Sequence, residues 1–400
     1  MPQANDSINV PFSLSGLERL DQAIQREIDA GHIPGAVLLL ERGGQIAHEK
    51  AYGAQGPDQS VPMATDTLFR IYSMTKPIVS VAIMMLAEQG RLLISDPVSR
   101  YFPELANLQV ATESIGADGN RTMTLAPCVR EMTIQDLLRH SAGLTYGIFG
   151  ESTLVKQAYL DSGIEGRNIT NAKLVDCLSR LPLAFQPGTD WEYSRATDLL
   201  GALLEKISGQ SLDVHLQEQI FAPLQMPDTG FWVAPEQQHR IAEAFPIDPV
   251  TQQAVRLLDA RKRPEFLSGG GGLISTARDY LRFARLLRNG GELDGVRLLS
   301  RKTLAFMTSD HLTGIPGATL GAAYLPGPGY GFGLGFAVRN TVGGAPTPGS
   351  VGDFLWSGLA GTYFWIDPQE DLIAIWLMQA PEQRDRFRQM IRNLVHASLT

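Results

Sequence analysis

Ser73 and Lys76, three positions apart in Ser73-Met74-Thr75-Lys76-Pro77, are the residues whose types and spacing could do chemistry. Lys76 is the only charged residue between Ile71 and Ala87, and an apolar run from Ile78 to Ala87 follows it. A lone ammonium in such a setting is costly to desolvate. Desolvation also lowers its pKa, so a neutral amine becomes accessible that can take the serine proton directly or through a neighbour. Of the seven lysines, Lys76 alone has a serine at the minus-three position. Taken by itself the spacing is a weak signal, and a lysine that snorkels outward or pairs with a carboxylate is the ordinary alternative.

The pair needs a helix to hold it. Residues 78–87 are apolar on nearly every face, as expected of a buried helix. Pro77 is tolerated in a first turn, which places the helix start near Ser73, and Gly90 supplies a C-terminal cap. Residues at i and i+3 then share one face, and the helix N-terminus favours an anion beside Ser73. Elsewhere Leu17–Ala30 reads as an amphipathic helix. Ala36–Glu41 and Gln45–Tyr52 read as a hairpin turning through Arg42-Gly43-Gly44. Helical patterns follow around 133–140, 153–160, 171–181, 195–207 and 211–220, and again at Ala277–Arg288. Tyr330, Phe332, Leu334 and Phe336 alternate with glycines as one strand. Strands at Thr362–Ile366 and Leu372–Met378 and a helix near 382–397 close the chain. Strands at both ends and helices between them predict an α+β fold, one sheet built from both termini with a helical insertion. The expected units are residues 1–92 with 265–400, and a mainly helical 93–264.

Composition narrows the function. Four hundred residues with 44% hydrophobic and 19% charged content suit a globular enzyme. A net charge of −8 argues against nucleic acid as a partner. Two cysteines, Cys128 and Cys177, make no disulfide framework. Seven histidines without a His-Glu-x-x-His pair give a metal no support. The glycine runs at 269–272 and 327–335 match no nucleotide-binding fingerprint and read as turns and close-packed strand, so no cofactor is expected. No Gly-x-Ser-x-Gly elbow occurs, and His140 reads as a helix-end cap rather than a base. The opening Met-Pro-Gln-Ala-Asn-Asp-Ser has no signal-peptide character and no apolar run is long enough for a membrane span, so a cytoplasmic location is expected.

Several ordered segments resemble those of the serine β-lactamase-like superfamily. They are Phe69–Pro77 around Ser73-x-x-Lys76, Leu137–Leu144, Trp191-Glu192-Tyr193-Ser194 and Gly270–Asp279. The likeness is nearest to the class C branch and to the family VIII carboxylesterases on that scaffold. The resemblance implies an antiparallel sheet flanked by helices, an inserted all-helical domain, and a site in the groove between them. It makes Ser73 the acylated nucleophile, Lys76 its partner and Tyr193 the general base that shuttles the proton to the leaving group.

The chain departs from that pattern at two places. Where β-lactamases and peptidases carry Lys-Thr-Gly, it has Trp356-Ser357-Gly358-Leu359, similar to the Trp-Gly-Gly of family VIII esterases. Losing that lysine removes a cation that would pair with a substrate carboxylate, and an indole suits a neutral ester better. Arg195 stands where class C enzymes have asparagine. The resemblance implies that Gly358 lets the strand approach substrate, and that Ser73 and Leu359 N–H groups form the oxyanion hole. The expectation is a serine carboxylesterase acting on small or short-chain esters, with a small-molecule ester as its only partner. A β-lactamase, a D-alanyl-D-alanine peptidase or an acyltransferase of the same superfamily is the alternative, and a catalytically silent binding protein the remote one.

Overall fold

The computed structural model describes residues 12–166, 168–315, 318 and 324–400, so the opening Met1–Ser7 read above lies outside it. Helix α1 (Leu14–Asp29) starts where the Ser13 side chain accepts from Gly16 N, and buries Leu17, Leu20 and Ile24. Strands β1 (Gly35–Arg42) and β2 (Gln45–Gly53) form the expected hairpin, turning through Gly43 and Gly44 at positive φ. After the short β3 (Phe69–Arg70), a 3-10 turn at Tyr72–Met74 runs into α2 (Thr75–Glu88). Pro77 sits in the first turn of α2, and Gly90, at φ +69°, ends it.

A hairpin, β4 (Gln109–Ile115) with β5 (Arg121–Pro127), precedes helices α3 (Ile134–Leu138), α4 (Leu154–Asp161), α5 (Asn171–Leu178), α6 (Ala196–Ser208) and α7 (Leu212–Leu216). Strand β6 (Ile274–Ser275) pairs with β3 and leads into α8 (Ala277–Arg288). The β7 (Glu292–Leu293) and β8 (Val296–Arg297) ribbon and α9 (Arg301–Met307) follow. The chain ends with β9 (Tyr330–Phe332), β10 (Ala337–Arg339), β11 (Phe354–Ser357), β12 (Tyr363–Asp367), β13 (Leu372–Met378) and α10 (Arg384–His396).

Seven strands make one antiparallel sheet in the order β2-β1-β13-β12-β11-β10-β9. The N-terminal hairpin docks on β13 from Ala36 opposite Met378 to Arg42 opposite Leu372, so the sheet is closed by both ends of the chain. Alternation then sorts its side chains. Val37, Leu39, Phe364 and Ile375 join the core that holds α2 and α8, whereas Leu38, Trp365 and Trp376 pack toward α1 and α10. Covered on both faces, β13 is buried along its whole length, which explains its unbroken apolar sequence.

Two local readings change. The stretch between α2 and α3 is not wholly helical, since β4 and β5 form a ribbon there. Most of its residues are exposed, so apolar periodicity is faint, and Asp118-Gly119 between the two threonine-bearing runs is the signal that marks it. The alternating segment from Tyr330 is two strands rather than one. Gly335 takes φ +98°, and a side chain there would collide with Ser80 of α2, so the chain bends where a continuous strand would clash. Among the described residues no helix is long and apolar enough to cross a membrane.

Candidate active site

The nucleophile segment is fastened on three sides. Ile71 N donates to Leu273 O at 3.0 Å, the Tyr280 hydroxyl donates to Met74 O at 3.0 Å, and Thr362 Oγ1 donates to Ile71 O at 3.2 Å. The residue before Ser73 shows the tension in this turn: Tyr72 takes φ +45°, a region that disfavours a bulky side chain. A Cβ at Gly358 would strike Ile71 O and Thr362 Oγ1, so this glycine is required by the protein's own backbone. Strand β11 thereby lies directly against the serine turn.

Ser73 Oγ accepts a 2.6 Å hydrogen bond from the Tyr193 hydroxyl and a 3.4 Å one from Lys76 Nζ. The structure thus gathers Ser73, Lys76 and Tyr193, although the last lies 120 positions from the first. Lys76 is fully buried and also donates to Gly270 O at 2.6 Å and to the Tyr146 hydroxyl at 3.2 Å. Its ammonium lies 4.4 Å from the centroid of the Tyr193 ring. Burial pushes the Lys76 amine down to about 7, with Asp198 acting to raise it and Arg195 to lower it. Burial moves Tyr193 the other way, well above the ordinary phenol range, against the lowering effect of its hydrogen bond with Ser73. Near neutral pH Lys76 is thus the more readily deprotonated of the two.

Three of these partners escaped the sequence. Tyr146 lies just past the Leu137–Leu144 segment, with Arg195 4.9 Å from its ring centroid. Gly270 acts through its carbonyl, in a glycine run that reads as a plain turn. Asp198 holds that run by accepting from Gly270 N at 2.8 Å and from Ser268 Oγ at 2.5 Å. A Cβ at 270 would strike the Asp198 carboxylate, which is why glycine is needed there. Arg195 does not line the cavity; it is bound to Glu165 and Asp198 beneath it. His140, at φ +59° after α3, is buried against Trp191, Tyr193 and Phe332, with Nδ1 3.1 Å from Ser194 Oγ. Burial keeps it neutral, and it braces the Tyr193 ring.

Above the serine opens a cavity of about 460 Å³. Phe149, Tyr193, Tyr324, Trp356 and Leu359 line it with Ser73. Trp356 packs 5.5 Å from Tyr193 and 5.2 Å from Phe332, centroid to centroid. Its indole N–H makes no hydrogen bond in this arrangement, yet lies near enough to the phenol to favour its ionised form. The backbone N–H groups of Ser73 and Leu359 have no intramolecular acceptor among the described residues. Cations do stand at this wall, contrary to the expectation drawn from the missing lysine: Arg384, Arg388 and Arg392 all line the cavity. Arg388 of α10 lines the cavity, but its Nη2 donates to Gly358 O at 2.6 Å and its Nη1 faces Asp385 at 3.3 Å.

Residues 20–397 match the family model described as Beta-lactamase. The chain belongs to the beta-lactamase family. Its fold is of the class C beta-lactamase-like type, with the seven-stranded antiparallel sheet and flanking helices described above. Within the family, an uncharacterized protein of Mycobacterium tuberculosis is 38% identical over 368 residues, spanning 90% of this chain and 89% of its own. Esterase EstB of Burkholderia gladioli is 30% identical over 371 residues, 87% of this chain and 86% of its own. Among solved structures, EstCE1, described as a hydrolase with promiscuous acyltransferase activity, superposes with a TM-score of 0.79. It is 28% identical and covers 96% of this chain and 98% of its own.

Proposed function

We propose that this beta-lactamase-superfamily serine hydrolase is a carboxylesterase acting on small or short-chain neutral esters. The observation that carries the reading is the 2.6 Å contact between the Tyr193 hydroxyl and Ser73 Oγ beside a lysine whose pKa falls to about 7. Neutral Lys76 takes the serine proton, and the alkoxide attacks the ester carbonyl. The Ser73 and Leu359 N–H groups receive the oxyanion. Tyr193 hands a proton to the leaving alkoxide and is reprotonated from Lys76. Water then enters by the same route in reverse and releases the acid. Ser73, Lys76 and Trp356 come from the unit we assign to residues 1–92 and 265–400, and Tyr146 and Tyr193 from the one we assign to 93–264.

The substrate class rests on the aromatic lining and on Trp356 in place of a lysine. Ser73→Ala is expected to abolish p-nitrophenyl butyrate hydrolysis and fluorophosphonate labelling seen by intact mass; near wild-type turnover would refute the nucleophile. Trp356→Ala should change the ratio of kcat/KM between acetyl and hexanoyl esters by roughly 10-fold, and an unchanged ratio removes Trp356 from acyl selection. Nitrocefin turnover matching ester turnover would favour a β-lactamase. Acyl transfer to an alcohol is the second reading, supported by the activity described for EstCE1. Product analysis with added alcohol separates it from hydrolysis.

A further inference from the structure

We infer that Arg388 is a positioning residue that orients and polarises the Gly358–Leu359 peptide, whose N–H receives the oxyanion. The inference rests on the oxyanion reading above and assigns a task to a side chain far from the recognised motifs.

The peptide is held on one side only. Gly358 O accepts from Arg388 Nη2 at 2.6 Å and from Gly361 N at 3.1 Å. Gly358 N donates to Thr362 O at 2.7 Å, and Ile71 O closes the space where a side chain would be. In a trans peptide the N–H points opposite to the C=O. Pinning the carbonyl on the guanidinium of α10 therefore turns Leu359 N–H away from that helix. Leu359 and Ser73 both line the cavity, and this N–H has no acceptor among the described residues.

The pinning also has an electronic effect. A charge-assisted hydrogen bond to a carbonyl draws electron density from the amide and makes its N–H a stronger donor. The same guanidinium adds a fixed positive charge one peptide away from the developing oxyanion. The Arg388 side chain is 22% exposed, desolvation brings its pKa down to about 10, and its Nε has no hydrogen-bond partner among the described residues. Its carboxylate partner Asp385 is largely exposed, so that ion pair alone does not account for an arginine held at this wall. Nη2 is committed to Gly358 O and Nη1 faces Asp385, which holds the guanidinium against the backbone; whether its other N–H groups also take a substrate carboxylate is what the succinate ester below decides.

The test compares wild type, Arg388→Met and Arg388→Lys on p-nitrophenyl butyrate and on p-nitrophenyl hydrogen succinate, with phenylboronic acid as the tetrahedral adduct former. For Arg388→Met the expected result is a kcat about 10- to 100-fold lower on both esters, with KM within about twofold. Boronate affinity should weaken by the same factor, and lysine should restore part of both. A KM rise confined to the succinate ester would make Arg388 a carboxylate-binding residue and overturn the inference. A lower kcat with unchanged boronate affinity would reduce it to a structural role. If the methionine variant does not fold, the lysine variant carries the same readouts. Ser73→Ala run in parallel separates the two levels: retained turnover there sinks the esterase reading, whereas a silent Ser73→Ala with normal Arg388 variants sinks only this inference.

Discussion

Arg195 and Lys76 are buried on the same Tyr146 ring, but the protein treats their charges in opposite ways. Arg195 is bound by two carboxylates, Glu165 and Asp198. Burial works against its charge, yet those partners raise its pKa above the ordinary value. Among the described residues Lys76 hydrogen-bonds a carbonyl and hydroxyls but no carboxylate, and its pKa falls to about 7. Arginine does not give up its proton in proteins, so pairing it fully makes a permanent strut. Lysine left without a contacting carboxylate becomes a base. The contrast shows how a proton acceptor can be made within one residue's reach of a fixed cation.

The largest effect should come from making the two alike. Lys76→Arg keeps the charge but removes the neutral form, and should lower kcat roughly 10²- to 10⁴-fold in steady-state ester hydrolysis. Turnover near wild type would mean that Lys76 is not the acceptor. Breaking the paired member is the next test. Asp198→Asn leaves Arg195 with one carboxylate and slackens the 268–272 turn, at a cost of about 3–5 kcal/mol in denaturant unfolding. A loss below about 1 kcal/mol would show that the pair is not structural.

The smallest effect lies in the pH profile. In the proposed mechanism neutral Lys76 is the active form, so kcat/KM should rise with pH, tenfold per unit at first, and level above about pH 7. Asp198 raises the Lys76 pKa. Its replacement by asparagine should therefore move the rising limb to lower pH. A limb displaced upward would contradict the sign of that coupling.

Sequence disclosed the site as far as local spacing reaches. Ser73 and Lys76 are one helical turn apart, and the helix is apolar throughout, so both the pair and its desolvation are visible in a dozen residues. Tyr193 carries no local signal and came only through resemblance. Tyr146, Asp198 and Arg388 meet the site through long-range packing, and Gly270 contributes a backbone carbonyl that no residue type announces. The same division holds for the fold. The strands β1 and β13 declare themselves by burial and β2 by the glycine turn that joins it to β1, whereas β4 and β5 are exposed and the bend at Gly335 depends on Ser80 of a distant helix.

Gly358 sets a limit on how this pocket can be reshaped. With hydrogen as its only side chain, β11 rests on the carbonyl of Ile71, and the spacing between the two unbonded N–H groups is fixed by direct contact. A library that varies position 358 would wedge strand and serine turn apart and return inactive clones whatever substrate is screened. Changes in acyl preference are instead to be sought at Trp356, Phe149 and Tyr324, whose side chains line the cavity.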